Sequence, residues 1–288
     1  MKHGIAEIDH LLTWVADLDR AAAAYRRLGF ALSPESDIEA MGIVNRLALF
    51  RPRRAGTANF VELMAARDRT KLPPVMAGVL SGVEGVKSMV MMTPDAQAAQ
   101  EELVADGYPF ASPVHVRREW VIPGEGSVWP EFHVLLPVPA PLGFNACQYH
   151  TLDLYLRKDW QVHPNTAQHL LCVLAVASDV PATVAWYERL FGATARQQRD
   201  GGWYVTPGTT ELAIYSQDDF TRRFPGAVGF EPLPVGGAAY RGYRIAVASL
   251  SETARCLAEA GVTTMKTSDG LAVGPADACG NVIEFVPA

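Results

Sequence analysis

The sequence predicts an α+β fold made of four βαβββ modules, and three observations carry that prediction. A strand, a tight turn and an amphipathic helix ending at a glycine recur four times; each copy is followed by short runs rich in Val, Tyr, Phe and Thr; and the 288 residues hold four copies at a period of roughly 75, longer than the ~20 to 50 residues of solenoid repeats.

The first copy is Ile8 to Phe30, IDHLLTWVADLDRAAAAYRRLGF. Side chains alternate along a strand, so His10, Leu12 and Trp14 share one face and Leu11, Thr13 and Val15 the other. Asp17 and Asp19 suit a helix start, where carboxylates meet unpaired N–H groups. Ala21, Ala24, Tyr25 and Leu28 then follow at helical spacing, and Gly29 can end the helix in a left-handed conformation. His10 stands inside an otherwise apolar strand. It is the first functional clue.

The other copies are found from two anchors, the residue that opens the helix and an apolar one eight positions later, with a glycine after them. Asp17, Tyr25 and Gly29 are matched by Asp95, Leu103 and Gly107, by Asp179, Tyr187 and Gly192, and by Ser249, Leu257 and Gly261. Strand signals follow each helix. They are Asn45 to Arg51 and Asn59 to Ala66; Val114 to Val121, Ser127 to Leu136 and Phe144 to His150; ATARQQR, GWYVTP and TTELAIYS; and TTMKTS, LAVGPA and NVIEFVP. The repeat divides the chain into residues 1–152, a connection over 153–168 and residues 169–288. Leu72 to Gly85 and Asp218 to Gly237, broken by proline and glycine, read as crossing loops within each half.

Composition agrees with an ordinary globular protein: 49% hydrophobic and 19% charged residues, enough chain for two domains of about 140 residues. The net charge of −6 argues against a broad nucleic-acid surface. Arg51, Arg53 and Arg54 read as a solvated turn. The longest apolar run, Leu170 to Ala177, is well short of the ~20 residues of a membrane span, and MKHGIAEIDH lacks the apolar segment of a signal peptide. Cys147, Cys172, Cys256 and Cys279 show no CxxC spacing and fit reduced thiols in the cytoplasm. No GxSxG, GxxxxGK[ST], HExxH or GxGxxG motif occurs, which removes weight from serine hydrolase, nucleotide hydrolase, zinc-helix and nicotinamide readings.

With the repeat and the central stretch CQYHTLDLYLRKDWQVHPNTA, Cys147 to Ala167, the chain resembles the vicinal oxygen chelate superfamily of glyoxalase I, extradiol dioxygenases and bleomycin-resistance proteins, in its glyoxalase-like branch. The resemblance implies two glyoxalase-like domains with cupped mixed sheets, each holding a ligand or divalent metal on its concave face. It also implies ligands on the first and last strands of each module. The offset of His10 from its helix selects Ser88, Cys172 and Gly242, and the flanking apolar residues of the closing strands select Glu62, Gln148, Glu211 and Glu284.

Imidazole and carboxylate together suit a hard divalent ion with open positions, and only the first half offers both. The implied metal set is His10, Glu62, Gln148 and His150, for Fe, Mn, Ni or Zn, with Ser88 where the superfamily usually has a strong ligand. Glu62 can instead serve as the proton-shuttling base, or simply pair with Arg46 inside its strand. Arg244 is a matching partner for Glu284. Trp14, Ser88, His115, Arg117, Trp129 and His133 are candidates to line the cup, although a wet outer sheet face accounts for the last four almost as well. His169 falls off the ligand face by the helix anchor. Arg157, Trp160 and His163 read as an interdomain clamp.

Two functions follow from the resemblance. One is a metal-dependent lyase, isomerase or dioxygenase acting on a small oxygen-rich molecule. The other is a non-catalytic binding protein whose cup is lined by Trp14, Trp120, Trp129 and Phe132. Either takes a small-molecule partner, without nucleic acid or membrane. Since both cups are complete within one chain, monomer and homodimer are both accommodated.

Overall fold

The computed structural model describes residues 2–233 and 235–288. The first module consists of β1 (Glu7–Trp14), α1 (Leu18–Arg27), β2 (Ser36–Ile38), β3 (Ile43–Leu49) and β4 (Phe60–Ala66). A short helix, α2 (Pro74–Val79), leads to β5 (Gly85–Met92), α3 (Ala96–Ala105), β6 (Val114–Arg117), a hairpin of β7 (Trp120–Ile122) and β8 (Gly126–Val128), then β9 (Glu131–Val138) and β10 (Phe144–Tyr149). The third module is β11 (Ala167–Ala177), α4 (Val180–Phe191), β12 (Arg196–Gln197), β13 (Trp203–Val205) and β14 (Glu211–Tyr215). After α5 (Gln217–Arg223) come β15 (Ala238–Val247), α6 (Leu250–Glu259), β16 (Thr264–Lys266), β17 (Leu271–Val273) and β18 (Val282–Pro287).

The helix anchors hold because they are real caps. Asp17, Asp95, Asp179 and Ser249 each accept a backbone N–H of the first turn through the side chain. Gly29 and Gly192 follow their helices at φ 81° and 62°, where a side chain would be strained.

The modules pair into two eight-stranded mixed sheets, ordered β2-β3-β4-β1-β5-β10-β9-β6 and β12-β13-β14-β11-β15-β18-β17-β16. In each, the first strands of two modules run antiparallel down the middle, and each closing strand lies parallel to its own first strand. The registers contain a regularity that simple alternation hides. Asp9, Lys87, Leu171 and Arg241 are each an extra residue opposite consecutive partners, and each stands eight positions before its helix cap. Such bulges re-aim side chains and sharpen the local twist.

One core takes the helix-bearing faces of both sheets together with the four module helices. Tyr25 and Tyr243 share a hydrogen bond of 2.7 Å across it, and Phe30 stacks on Phe285. Glu7, 1% exposed on β1, accepts from the Thr209 and Thr210 N–H groups, both at 2.8 Å, and from the Thr209 hydroxyl at 2.7 Å. Two of the three arginines read as a solvated turn are engaged by the chain: Arg53 ties the sheets by donating to the Thr209 carbonyl, and Arg54 donates to that of Ala6 within the first half. His169 meets the Arg51 carbonyl at this junction.

The opposite faces, pointing away from the shared core, carry separate side-chain clusters. The two expected crossing loops each contain a short helix. Pro74 tolerates the first turn of α2, where an N–H would be unpaired anyway, and Ser216 caps α5. Among the described residues no helix is long and apolar enough to cross a membrane.

Candidate active site

The free face of the first sheet encloses a pocket of about 100 Å³. Leu12, Ile43, Leu47, Met64, Phe132 and Val134 form much of its wall, with Met76 of α2 against it. Its polar members are few: His10, Asn45, Glu62, Arg118, Asn145, Tyr149 and Tyr155.

His10 and Glu62 come from neighbouring parallel strands. His10 sits opposite Phe60 and is stacked on its ring at 4.1 Å, while Glu62 stands two residues further, opposite Leu12. Each is 7% exposed. His10 Nε2 lies 3.8 Å from Glu62 Oε2. Its other nitrogen, Nδ1, is 2.5 Å from Asp9 Oδ1, because the bulge turns Asp9 toward its neighbour, and 3.2 Å from the Tyr149 hydroxyl. With Asp9 ionised, its carboxylate on Nδ1 holds the proton there and leaves Nε2 open to the pocket.

Burial pushes the Glu62 carboxyl above the usual carboxylate range, against the pull of His10, the Asn45 amide and Arg118. Asp9 is raised for the same reason, with His10 again opposing. Asn45 Nδ2 donates to Glu62 Oε1, and Asn45 Oδ1 has no partner among the described residues. Arg118, 8% exposed, donates to the Ser36 hydroxyl. Asp9, Asn45, Tyr149, Arg118 and Tyr155 thus belong to the site although the sequence did not single them out as site residues. Asp9 beside His10 was the available signal, hidden because strict alternation puts it on the wrong face.

Several sequence-based candidates lie elsewhere. The register places Asn145, not Gln148, opposite the strand position that corresponds to Leu12; Gln148 is three residues away and on the other face, where its Oε1 accepts the Ala96 N–H and caps α3. His150 is on that outer face too, with His133 Nδ1 2.7 Å from its Nε2. Neither Gln148 nor His150 joins His10 and Glu62. His115 pairs with Glu131 at 2.9 Å, and Arg117 covers the exposed Trp129 ring at 4.7 Å. His115, Arg117, Trp129 and His133 therefore dress the wet outer face, while the alternate residues Val116, Arg118, Phe132 and Val134 turn inward. Trp14 packs in the cluster behind the pocket, its Nε1 donating to the Gly82 carbonyl at 3.2 Å. Ser88 is fully buried and bonds Asn145 Oδ1 at 2.7 Å.

These placements bear on a metal through donor chemistry. The second module brings Ser88 and Asn145, already bonded to each other, in place of an imidazole or carboxylate. Among the described residues no three His, Cys, Asp or Glu side chains are placed to hold an ion. His10 and Glu62 alone fall short of the three or more protein ligands usual for a bound catalytic metal, so the donor set does not fit a resident divalent ion.

The second cup is filled. Phe220 and Phe224, from α5 and its end, pack with Cys172, Leu174, Tyr204, Tyr215 and Val282. Glu284, the register equivalent of Glu62, is fully buried and held by Arg223 at 2.9 Å and Arg244 at 2.8 Å. Glu211 lies opposite Cys172 instead, at the position equivalent to Phe60, and pairs with Arg196 at 3.4 Å.

Paired βαβββ modules in curled sheets, with a histidine on a first strand and a glutamate on a last, define a vicinal oxygen chelate protein. The family model for the glyoxalase-like domain matches residues 8–191, and the chain belongs to that family. No curated protein sequence matches it. A hypothetical protein from Staphylococcus aureus is similar in structure, with TM-score 0.64 at 14% identity over 97% of this chain and 98% of its own. A xylose isomerase-like TIM barrel/4-hydroxyphenylpyruvate dioxygenase fusion protein gives TM-score 0.55 at 14% identity over 91% of this chain and 40% of its own. A mutant 4-hydroxymandelate synthase from Streptomyces coelicolor gives 0.51 at 14% identity over 92% and 77%. At these identities the likeness is one of fold.

Proposed function

We propose that this protein is an enzyme that moves a proton beside a carbonyl group in a small, mainly apolar molecule, in the isomerase or lyase class. The observation that supports it is the pair His10 and Glu62, 3.8 Å apart in an apolar pocket, one with an open nitrogen and the other held toward its neutral form.

His10 Nε2 takes the proton from the carbon next to the carbonyl, and the electron pair passes to the carbonyl oxygen. Glu62, as the neutral acid, donates a hydrogen bond to that oxygen as charge develops. A protonated carboxyl in an apolar site is an effective donor of this kind. Asp9, bonded to Nδ1, holds the imidazole in place, and the Asn45 Oδ1 can accept a hydroxyl or N–H of the substrate. The proton then returns to the same or the adjacent carbon, or a leaving group departs.

The test needs no knowledge of the final product. Small ketones, 2-oxoacids and hydroxyketones are incubated with the protein in deuterated water, and uptake at carbon is followed by NMR. Exchange by the wild type that is lost in His10→Ala and reduced in Glu62→Gln supports the reading. If no compound exchanges faster with wild type than with His10→Ala, yet one binds equally well to both, the pocket is a binding site without catalysis.

A further inference from the structure

Where β5 and β15 meet, between the sheets and away from the pocket, a cleft of about 300 Å³ is lined by Lys87 and Arg241 and also by Glu231 and by Glu84, which is paired with Arg20. These are the bulge residues of corresponding strands, eight positions before Asp95 and Ser249 respectively. The repeat thus brings two cations to equivalent positions beside one cleft.

Neither cation has a carboxylate within the 4.0 Å of an ion pair among the described residues. Arg241 is only 6% exposed. One of its terminal nitrogens donates to the Glu231 backbone carbonyl at 2.9 Å, its guanidinium lies 4.7 Å over the Phe230 ring, and its Nε has no partner. Half-buried Lys87 makes no side-chain hydrogen bond among the described residues. Glu231 is the carboxylate whose field reaches both, from beyond the 4.0 Å of an ion pair. Burial lowers the basicity of each. A buried guanidinium whose nearest carboxylate is too far for an ion pair is costly, and two such cations lining one polar cleft suit an anion held between them.

We propose that this cleft binds a small oxyanion, a carboxylate or phosphate group, held between the Lys87 ammonium and the Arg241 guanidinium. The site is independent of His10 and Glu62.

Calorimetric titration of the full chain at low salt with inorganic phosphate, and separately with malonate, tests it. The expected result is saturable one-to-one binding of at least one probe, weakened about tenfold or more in Lys87→Met and in Arg241→Met, since each removes a charged hydrogen bond to the anion. Lys87→Arg should keep binding within a few-fold, and His10→Ala should leave it unchanged. Binding of malonate alone assigns a carboxylate, of phosphate alone a phosphate. If Arg241→Met does not fold, Lys87→Met against Lys87→Arg decides. No saturable binding by either probe overturns the proposal, as does binding that survives Lys87→Met undiminished, which would mark an adventitious ion elsewhere.

Discussion

Tyr155 stacks on Phe60, with ring centroids 5.7 Å apart and planes 17° from parallel. Phe60 lies in turn against His10, so the segment joining the two sheets braces the imidazole from behind. Tyr155→Ala should loosen that stack, slow exchange about tenfold, and cost about 3 kcal/mol in urea unfolding, as for other buried aromatic truncations. Tyr155→Phe should retain most of both. Wild-type exchange in Tyr155→Ala would show that the brace is irrelevant to His10.

Glu62 carries a pH signature. Its folded-state carboxyl is raised by burial, so the folded protein holds that proton more tightly than the unfolded chain does. The penalty is absent below the unfolded value, near 4.3, and grows as pH rises toward the folded one. Glu62→Gln should therefore raise Tm at pH 8 and lose that advantage as pH approaches 4. An equal shift at both pH values would place the effect in packing.

Elemental mass spectrometry on protein purified without chelator or affinity metal should find Fe, Mn, Ni and Zn all well below one ion per chain, before and after reconstitution. Stoichiometric metal that disappears in His10→Ala would overturn the donor-set argument and restore a metal-dependent reading.

Fold and site were unequally legible in the sequence. Asp17, Asp95, Asp179 and Ser249 announced the modules because capping is local chemistry, readable from a few residues. Glu62 was legible because a carboxylate in an apolar strand is conspicuous. Gln148 misled because apolar residues flank it as they flank Asn145, and an error of three positions exchanges the faces of a strand. His115 and His133 misled differently: polar residues were assigned inward, but this cup is apolar and its outer edge is wet. Asn45 and Tyr155 could not be read at all, since their membership depends on strand pairing and on where the connecting segment lies.

Glu7 should prove a principal tie between the sheets. Glu7→Ala leaves the Thr209 and Thr210 N–H groups without their acceptor, at a cost of about 1 to 3 kcal/mol for each donor left unpaired. Chemical denaturation should show a single transition at lower denaturant, because one core serves both sheets. Two separated transitions in wild type would contradict that.

His163 supplies an acid-side test. Its Nδ1 accepts the Ala31 N–H, its Nε2 donates to the Leu49 carbonyl at 2.8 Å, and burial pushes its pKa down to about 4. The unfolded chain takes up that proton first, so stability should fall as pH drops from about 6.5 toward 4, by up to about 3 kcal/mol at 1.36 kcal/mol per unit. His163→Gln should start less stable and show a flatter decline. An unchanged slope would assign the acid sensitivity to other groups.

The recurring bulge has a consequence for how such a chain can change. Most strand residues are committed to neighbours on both sides, whereas a bulge residue sits in a socket outside the ladder. Four sockets here hold a carboxylate, an ammonium, an isobutyl group and a guanidinium. A change of side chain at such a position alters the chemistry on a first strand without breaking a ladder pair.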